Sequence, residues 1–280
     1  MELVYRCNLI ALVGGGPTPR YPLNKVMLWD DHQMRCIGEI CFRSEVRGVR
    51  LRRDLVVVVL TNKLYVYTLS DLHLKDNQET WASPRGLCAL SSGPEAVLVF
   101  PDRLKGHLKV ILYAQDRSVS IDAHESPVAC LALSADGSLL VSASDKGTLI
   151  RVFTCSDGSL LQEVRRGIDR ADICSLTFDP SKHWFACSSD KGTVHVFTVK
   201  QTEEERKTSF VKKLLPKYFD SEWSFSKFSL PETHAICGFG ETPGTVVALS
   251  LQGYFYSATF DPRTGGEGQV TSSQCFLEIR

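Results

Sequence analysis

The chain has 280 residues, of which 43% are hydrophobic and 23% charged, so it can bury a core and is not intrinsically disordered. Its 32 basic and 32 acidic residues balance, whereas general nucleic-acid binders are basic overall. The longest aliphatic run, Leu55 to Leu60, is far shorter than the roughly 20 residues of a membrane helix, and no secretory signal peptide is recognisable. We therefore expect a cytosolic, soluble protein with neither a transmembrane segment nor a nucleic-acid partner.

The first predicted unit begins near residue 3, and Gly14-Gly15-Gly16-Pro17 is expected to form a hairpin loop within it. A phosphate cradle is not expected there, because the loop leads into another strand and not into a helix N-terminus. The second unit begins near residue 47 and contains Leu55 to Leu60, whose continuous apolar character is typical of a strand buried on both faces. Further units are predicted to begin near residues 85, 127, 172 and 222.

The clearest internal repeat relates Val128–Gly147 to Ile173–Gly192. The two segments read VACLALSADGSLLVSASDKG and ICSLTFDPSKHWFACSSDKG, and Ser144 aligns with Ser189 at an offset of 45 residues. A period of about 40–45 residues built from short strands and turns is typical of β-propellers, and the long helical periodicity of HEAT and armadillo repeats is absent. We predict an all-β, WD40-type β-propeller with about six blades, forming a single domain over residues 1–280.

The ten cysteines lack the spacing of a metal site. They include no CxxC pair, and no histidine follows a cysteine pair at zinc-finger spacing. Several lie within apolar runs, as Cys88 does. We expect buried free thiols in a reducing compartment, and neither a metal nor another cofactor.

The double arginine in Glu163-Val164-Arg165-Arg166-Gly167 is the strongest candidate for chemistry, and it ends the outer strand of the fourth unit. Consecutive strand residues point to opposite faces, so each arginine can complete a separate pocket towards one neighbouring blade. The pocket-lining candidates are Ser142, Ser144, Gly147, Thr148 and Arg151 on one side, and Ser189, Thr193 and His195 on the other. Hydroxyl groups, turn amides and a guanidinium group together suit phosphate. From these residues alone, two solvated surface arginines remain the alternative.

No catalytic motif accompanies these residues. GxSxG, HExxH, the P-loop and a GxGxxG that opens a helix are all absent from the sequence. An enzyme of this fold would need ionisable residues that converge on a central channel, and the sequence shows no such cluster. We predict a protein that is not an enzyme, and a WD-repeat scaffold that binds only proteins is the alternative to a phosphate-binding protein.

The double-arginine segment resembles the F/L-R-R-G motif of the PROPPIN family, also called the WIPI proteins, with Val164 in place of Phe or Leu. Ser142–Arg151 and Ser188–His195 are similar to the fifth and sixth blades of that family. The resemblance covers essentially the whole chain and is greatest to the branch of the third and fourth mammalian members. The segments that carry this branch resemblance are Cys7–Gly14, Asn24–Asp31, Leu215–Phe219 and Trp223–Phe228.

The resemblance implies a seven-bladed propeller that binds phosphatidylinositol 3-phosphate and phosphatidylinositol 3,5-bisphosphate and recruits autophagy machinery to forming autophagosomal membranes. Headgroup site 1, carried over position by position, contains His124, Ser142, Ser144, Gly147, Thr148, Arg151 and Arg165. Headgroup site 2 contains Arg166, Gly167, Ser189, Thr193 and His195. Two sites on one rigid edge bind by avidity, so each can be weak alone.

The family pattern also implies a location and a protein partner. We expect a cytoplasmic protein that binds peripherally to autophagosomal precursor or endosomal membranes. A large lipid-transfer protein of autophagosome growth is the expected partner, at a surface around residues 14–35. Family members begin with about one further blade, so we expect the N-terminal blade to be missing from this chain.

A long insertion at residues 201–221 mixes apolar residues with lysines. Such a mixture suits a stretch that lies in a membrane interface, and it equally suits an element packed against the propeller. The resemblance implies the first role, because family members insert the loop at this place into membranes. The expected membrane-inserting residues are Phe210, Val211, Lys212, Lys213, Leu214 and Leu215.

Overall fold

A computed structural model describes residues 2–3, 7–200 and 223–277. Regular structure in these residues is almost entirely β-strand, apart from a short 3₁₀ turn at Tyr113–Gln115. The chain divides into two compact units, Met1–Ser120 and Ile121–Arg280. Both are built from four-stranded sheets in which each strand pairs with the next along the chain.

The first unit contains three of these sheets. The first sheet is formed by β1 (Glu2–Leu3), β2 (Leu9–Val13), β3 (Lys25–Asp30) and β4 (Arg35–Cys41). The second sheet is formed by β5 (Gly48–Leu51), β6 (Leu55–Val59), β7 (Lys63–Thr68) and β8 (Leu74–Glu79). The third sheet is formed by β9 (Ala89–Leu90), β10 (Val97–Pro101), β11 (His107–Leu112) and β12 (Arg117–Asp122).

The second unit contains three further sheets. The fourth sheet is formed by β13 (Val128–Leu133), β14 (Leu139–Ser144), β15 (Leu149–Thr154) and β16 (Leu160–Arg165). The fifth sheet is formed by β17 (Ile173–Phe178), β18 (Trp184–Ser189), β19 (Thr193–Thr198) and β20 (Ser226–Ser229). The sixth sheet is formed by β21 (Ala235–Phe239), β22 (Thr245–Ser250), β23 (Tyr254–Asp261) and β24 (Gly265–Cys275). A short parallel pairing joins β20 to β24, with Ser226 opposite Gly266.

The sheets of each unit stack face to face, and β6 shows how. All five of its residues are buried, as the apolar run predicted. Leu55, Val57 and Val59 pack with residues of the third sheet, whereas Val56 and Val58 pack with residues of the first sheet. Because successive strand residues point to opposite faces, a central strand covered on both faces must be apolar throughout.

The same stacking organises the second unit. Val141, Ile150 and Val164 on one face of the fourth sheet pack against Phe185 and Phe197 of the fifth. The opposite face of the fifth sheet packs against the sixth. Face-to-face stacking of four-stranded antiparallel sheets is the packing of propeller blades. The prediction of an all-β, WD40-type β-propeller fold is confirmed.

The outer, fourth strands of the second and third sheets are polar where they lie at the edge. β8 reads LKDNQE and β12 reads RSVSID, and most of their residues are exposed. β24 is the longest strand, with 11 residues, and nearly all of its side chains are exposed or half-buried polar groups. The apolar residues are therefore concentrated in the middle strands of each sheet.

The repeated Ser-Asp-Lys-Gly segment forms the same turn in the fourth and fifth sheets. The N–H of Gly147 donates to the carbonyl oxygen of Ser144 at 3.0 Å, and that of Gly192 donates to the carbonyl oxygen of Ser189 at 3.2 Å. Both glycines have positive φ, +63° and +69°. The aligned residues of the repeat therefore occupy equivalent places at the ends of β14 and β18.

Five predicted unit starts fall close to the first strand of a sheet, and the sixth is wrong. The unit expected near residue 222 begins at Ala235, because Ser226–Ser229 pairs with β19 and completes the fifth sheet. The insertion at residues 201–221 separates β19 from β20 in the sequence, so the period is interrupted there.

The ten cysteines are free thiols, as predicted, but they are not all buried. Cys7, Cys36 and Cys41 are exposed, which corrects the expectation for these three. Cys36 and Cys41 lie on β4, the outer strand of the first sheet, where no further strand pairs with it in the described part of the chain. An edge position leaves side chains open to solvent whatever their polarity.

We expect Gly147→Ala to destabilise the protein by about 2–4 kcal/mol, because the residue would have to adopt a left-handed conformation beside a backbone oxygen. A Cβ at Gly147 would lie 1.9 Å from the carbonyl oxygen of Ala171. Gly167→Ala is the matched control, since its Cβ would meet nothing within 4 Å, and its effect should stay within about 0.5 kcal/mol. Urea unfolding measures both, and equal stabilities would contradict the expectation.

Candidate functional site

Arg166 lies immediately after β16 and is buried, with a relative exposure of 6%. Its backbone N–H donates to the carbonyl oxygen of Thr148 at 2.9 Å, which extends the pairing of β16 with β15 by one residue. Its guanidinium Nε donates to the carbonyl oxygen of Gly147 at 3.0 Å, and Nη2 donates to that of Asp169. The side chain thus ties the turn after β14 to the loop after β16.

The two adjacent arginines belong to opposite faces of the fourth sheet. Val164 packs into the core shared with the fifth sheet, so Arg165, the next residue, lies on the other face together with Glu163. Arg166 returns to the face of Val164, and its charge contributes to lowering the pKa of His195 on the fifth sheet. Their placement separates the two guanidinium groups, and within the described residues the guanidinium of Arg166 is held by carbonyl oxygens and not by carboxylates.

The residues of headgroup site 1 form a row across the Arg165 face. Ser142 pairs with Arg151 across β14 and β15, and Arg151 pairs with Glu163 across β15 and β16. His124 approaches from the segment before β13, with Nε2 at 2.9 Å from the Ser142 hydroxyl. Burial, with the charge of Arg151 adding to it, lowers the pKa of His124 to about 4. The histidine is therefore neutral near pH 7.

Glu163 is a member of this row that the sequence interpretation did not select. Its Oε2 accepts a hydrogen bond from Arg151 Nε at 2.7 Å, while Arg151 Nη1 donates to the carbonyl oxygen of Ala123. Glu163 precedes Arg165 by two residues on the same strand, so strand alternation alone places both on one face. That spacing was the signal that could have identified it.

The residues of headgroup site 2 lie on the face of the fifth sheet that meets Arg166. Ser189 ends β18, Thr193 begins β19, and His195 pairs with Cys187 across the two strands. His195 Nδ1 lies 3.2 Å from the hydroxyl of Ser224. Burial, together with the charges of Arg166 and Lys227, lowers the pKa of His195 to about 4.

The two sites differ at one equivalent sheet position. Arg151 pairs with Ser142, and His195 pairs with Cys187, the residue aligned with Ser142 in the repeat. Three residues lie between Gly147 and Arg151, whereas two lie between Gly192 and His195, so the longer segment shifts the pairing by one residue. Arg151, which is paired with the Glu163 carboxylate, and the neutral His195 therefore hold equivalent sheet positions in site 1 and site 2.

Burial divides the candidate residues into two groups. Those that are buried are His124, Ser142, Ser144, Gly147, Arg166, Ser189 and His195. Those that remain half-buried are Thr148, Arg151, Arg165, Gly167 and Thr193. Ser142 has no exposed surface at all, so its visible role is to position His124. Among the candidate residues, only the half-buried group retains appreciable exposure to solvent.

Two further predictions concern metals and membranes. The described ranges contain no group of three or more His, Cys, Asp or Glu residues that could hold a metal ion. In the same ranges, no helix has the length and apolar character needed to cross a bilayer. The expected membrane-inserting residues Phe210, Val211, Lys212, Lys213, Leu214 and Leu215 lie outside the described residues.

Comparison with known proteins gives matches over most or all of the sequence. The family model described as PROPPIN matches residues 22–222. Autophagy-related protein 18e of Arabidopsis thaliana is 42% identical over 287 residues, covering 100% of this chain and 76% of that protein. SVP1-like protein 2 of Neurospora crassa is 41% identical over 200 residues, covering 71% of this chain and 46% of that protein.

Solved structures share the fold. Hsv2 of Kluyveromyces lactis superposes with a TM-score of 0.79 at 23% identity, covering 97% of this chain and 84% of that one. KlAtg21, solved in complex with the coiled coil of AgAtg16, superposes with a TM-score of 0.80 at 22% identity, covering 98% of this chain and 84% of that one. At such identities the likeness concerns the architecture and not the site.

Acidification should destabilise the protein through His124 and His195. The pKa of each is about 4 in the folded state, against roughly 6.5 for an exposed histidine in the unfolded chain. The unfolded state therefore binds more protons below about pH 6.5, and the stability contributed by each histidine is lost as the pH falls from there towards 4. Between about pH 7.5 and pH 5 this loss is on the order of 2 kcal/mol for each histidine.

Urea unfolding at the two pH values measures this loss. His124→Gln removes one titrating group, so the variant should lose less stability on acidification than the wild type does. An equal loss in both proteins would contradict the assignment.

Proposed function

Because the chain belongs to the PROPPIN family, we propose that it is a phosphoinositide-binding adaptor that brings autophagy machinery to forming autophagosomal membranes. The relatives named for autophagy support the process, since one of them is 42% identical over the whole chain. The proposed ligands are phosphatidylinositol 3-phosphate and phosphatidylinositol 3,5-bisphosphate. The proposed role is recognition without catalysis.

One observation carries this proposal: two adjacent arginines end one strand and serve opposite faces of its sheet. Arg165 adjoins the row of Ser142, Arg151 and Glu163, and Arg166 adjoins His195 of the fifth sheet. A guanidinium group beside hydroxyl groups and turn amides is a suitable environment for a phosphate. Two such environments at one end of a strand favour binding to a surface that presents many headgroups, because the second contact is intramolecular.

The two proposed sites would bind anions with different electrostatics. In site 1 the charge of Arg151 is offset by Glu163, and Arg165 lies on the same face as this ion pair. In site 2 the guanidinium of Arg166 is held by carbonyl oxygens, which orient it without neutralising it. We assign the stronger pull on a multiply charged headgroup to site 2.

A protein partner is the second part of the proposal. KlAtg21 was solved with the coiled coil of AgAtg16, so a protein of this architecture can hold a protein partner. We propose that residues around 14–35 hold such a partner here, with a lipid-transfer protein of autophagosome growth as the candidate. Binding would take place in the cytoplasm, peripherally on autophagosomal precursor or endosomal membranes, with the 201–221 segment adding apolar and cationic residues to the bilayer contact.

Replacing both arginines with threonine should abolish flotation with vesicles that contain phosphatidylinositol 3-phosphate. Arg103→Thr is the matched control, because this arginine is exposed and pairs with Glu79 on the first unit. It should float like the wild type. A pure protein scaffold predicts unchanged flotation for the double variant.

The single variant Arg165→Thr separates ligand binding from folding. It leaves the hydrogen bonds of Arg166 to Gly147 and Asp169 intact, so the melting temperature should stay close to that of the wild type. Vesicle affinity should nevertheless fall at least about tenfold, because avidity between the two sites is lost. Wild-type flotation by a folded Arg165→Thr protein would contradict the assignment of site 1.

Glu163→Gln should tighten the binding of soluble inositol 1,3-bisphosphate about three- to tenfold, because it removes a negative charge from site 1 while keeping the shape of the side chain. Glu125→Gln is the control, since Glu125 is exposed and lies 3.6 Å from Lys146. Calorimetric titration at low and at physiological salt measures both variants. Weaker binding by Glu163→Gln would mean that the carboxylate matters for holding Arg151 and not for its charge.

A further inference from the structure

Gly167–Arg170 forms an exposed loop directly after the double arginine, between β16 and β17. Ile168 occupies the middle of this loop and is 60% exposed. A single exposed aliphatic residue is common on protein surfaces and needs no explanation by itself. Ile168 differs from an ordinary exposed residue in the hydrogen bonds of its loop and in the charged side chains near it.

The base of the loop is fastened by hydrogen bonds on both sides of Ile168. On the preceding side, Arg166 donates from Nη2 to the carbonyl oxygen of Asp169. On the following side, the N–H of Ala171 donates to the carbonyl oxygen of Lys146 at 3.2 Å, and Arg170 Nε donates to that of Asp145 at 3.2 Å. The isoleucine is therefore held out into solvent by a fastened loop.

Cationic side chains lie on the loop of the exposed isoleucine and on the two turns that are hydrogen-bonded to residues 170–172. Lys146 lies on the turn after β14, Arg170 lies two residues further along the loop, and Lys191 lies on the equivalent turn after β18. Each has an acidic neighbour at 3.5–3.6 Å, and all three side chains are largely exposed. Exposed pairs of this kind contribute little and are readily exchanged for other anions.

We propose that Ile168 enters the bilayer interface when the headgroup sites are occupied, as an apolar anchor flanked by cations that face the anionic lipid surface. An apolar side chain with basic side chains on the same loop and on the adjoining turns matches the two layers of that surface, the acyl boundary and the charged headgroups. The inference rests on the proposed function, because Arg165 and Arg166 would bring this loop to the membrane. It adds a contact that is independent of the 201–221 segment.

Leu104 provides a matched control within the same chain. It is 63% exposed and is flanked by Arg103 and Lys105, so its exposure and nearby charge resemble those of Ile168. It lies on the turn between β10 and β11 of the first unit, where no double arginine precedes it. A general effect of removing an exposed aliphatic residue next to cations would therefore appear in both variants.

The test compares Ile168→Ser and Leu104→Ser with the wild type in the full chain. Flotation is measured with phosphatidylcholine vesicles that contain phosphatidylserine and phosphatidylinositol 3-phosphate, and calorimetry is measured with soluble inositol 1,3-bisphosphate. Ile168→Ser should bind the vesicles about five- to tenfold more weakly and the soluble headgroup as the wild type does. Leu104→Ser should match the wild type in both assays.

A gain of function gives a second measurement. Ile168→Trp should raise vesicle affinity, and brominated lipids should quench its added fluorescence more than that of Leu104→Trp, because indole rings favour the bilayer interface.

Three results would overturn the inference. Vesicle affinity of Ile168→Ser equal to that of the wild type would show that the side chain stays in water. A parallel loss of soluble headgroup binding would show that Ile168 acts on the pocket and not on the bilayer. Failure of the wild type itself to bind the soluble headgroup would instead remove the proposed function, and the inference with it.

Discussion

The buried guanidinium group of Arg166 is the interaction on which the candidate site depends. A cation taken out of water needs strong hydrogen-bond acceptors, and here the carbonyl oxygens of Gly147 and Asp169 supply them. The same two contacts fix a turn and a loop of the fourth sheet relative to one another. Carbonyl oxygens do not neutralise the charge, and this charge adds to burial in lowering the pKa of His195 across the sheet boundary. The Arg166 side chain thus both fixes the geometry at this end of β16 and supplies positive charge there.

The repeat produces equivalent clefts at the boundaries between neighbouring sheets, and the side chains at equivalent positions differ from one boundary to the next. At the boundary of the fifth and sixth sheets, Leu230 takes the place that Arg166 takes one sheet earlier, and its N–H donates to the carbonyl oxygen of Gly192 at 2.7 Å. Tyr256 takes the place of His195 there and donates to the carboxylate of Glu232. A leucine beside a carboxylate does not attract an anion. The backbone geometry recurs at this boundary, but the side chains that favour an anion beside the double arginine are replaced there.

Much of the fold could be predicted from the sequence, because local periodicity carries it. The alternation of strand residues explains the separation of Arg165 from Arg166, and the two-sided burial of β6 follows from its unbroken apolar run. The prediction that was wrong depended on strand pairing between segments that are distant in the sequence. The start of the sixth sheet was misplaced because β20 follows a long insertion, and nothing local distinguishes the last strand of one sheet from the first strand of the next.

The candidate site was less predictable than the fold, for the same reason. The contact of Glu163 with Arg151 depends on the register of β15 against β16, and one additional residue after Gly147 sets that register. Burial was also invisible in the sequence, since Ser142 and Thr148 look alike as hydroxyl donors although only Thr148 is accessible. Sequence motifs identify which residues come close together, whereas strand register and packing decide which of their side chains remain accessible.

The polar outer strands bear on how such a protein behaves when many copies share one membrane. A sheet edge presents unsatisfied backbone groups that can recruit another strand, and crowding on a surface raises the frequency of such encounters. Lys75, Asp76 and Glu79 place charges along the edge that β8 forms. Bringing two β8 edges together would strip water from these ionised side chains, and each strand has only Leu74 as an exposed apolar residue to bury in return. Local accumulation can therefore proceed without the molecules polymerising through their β-sheets.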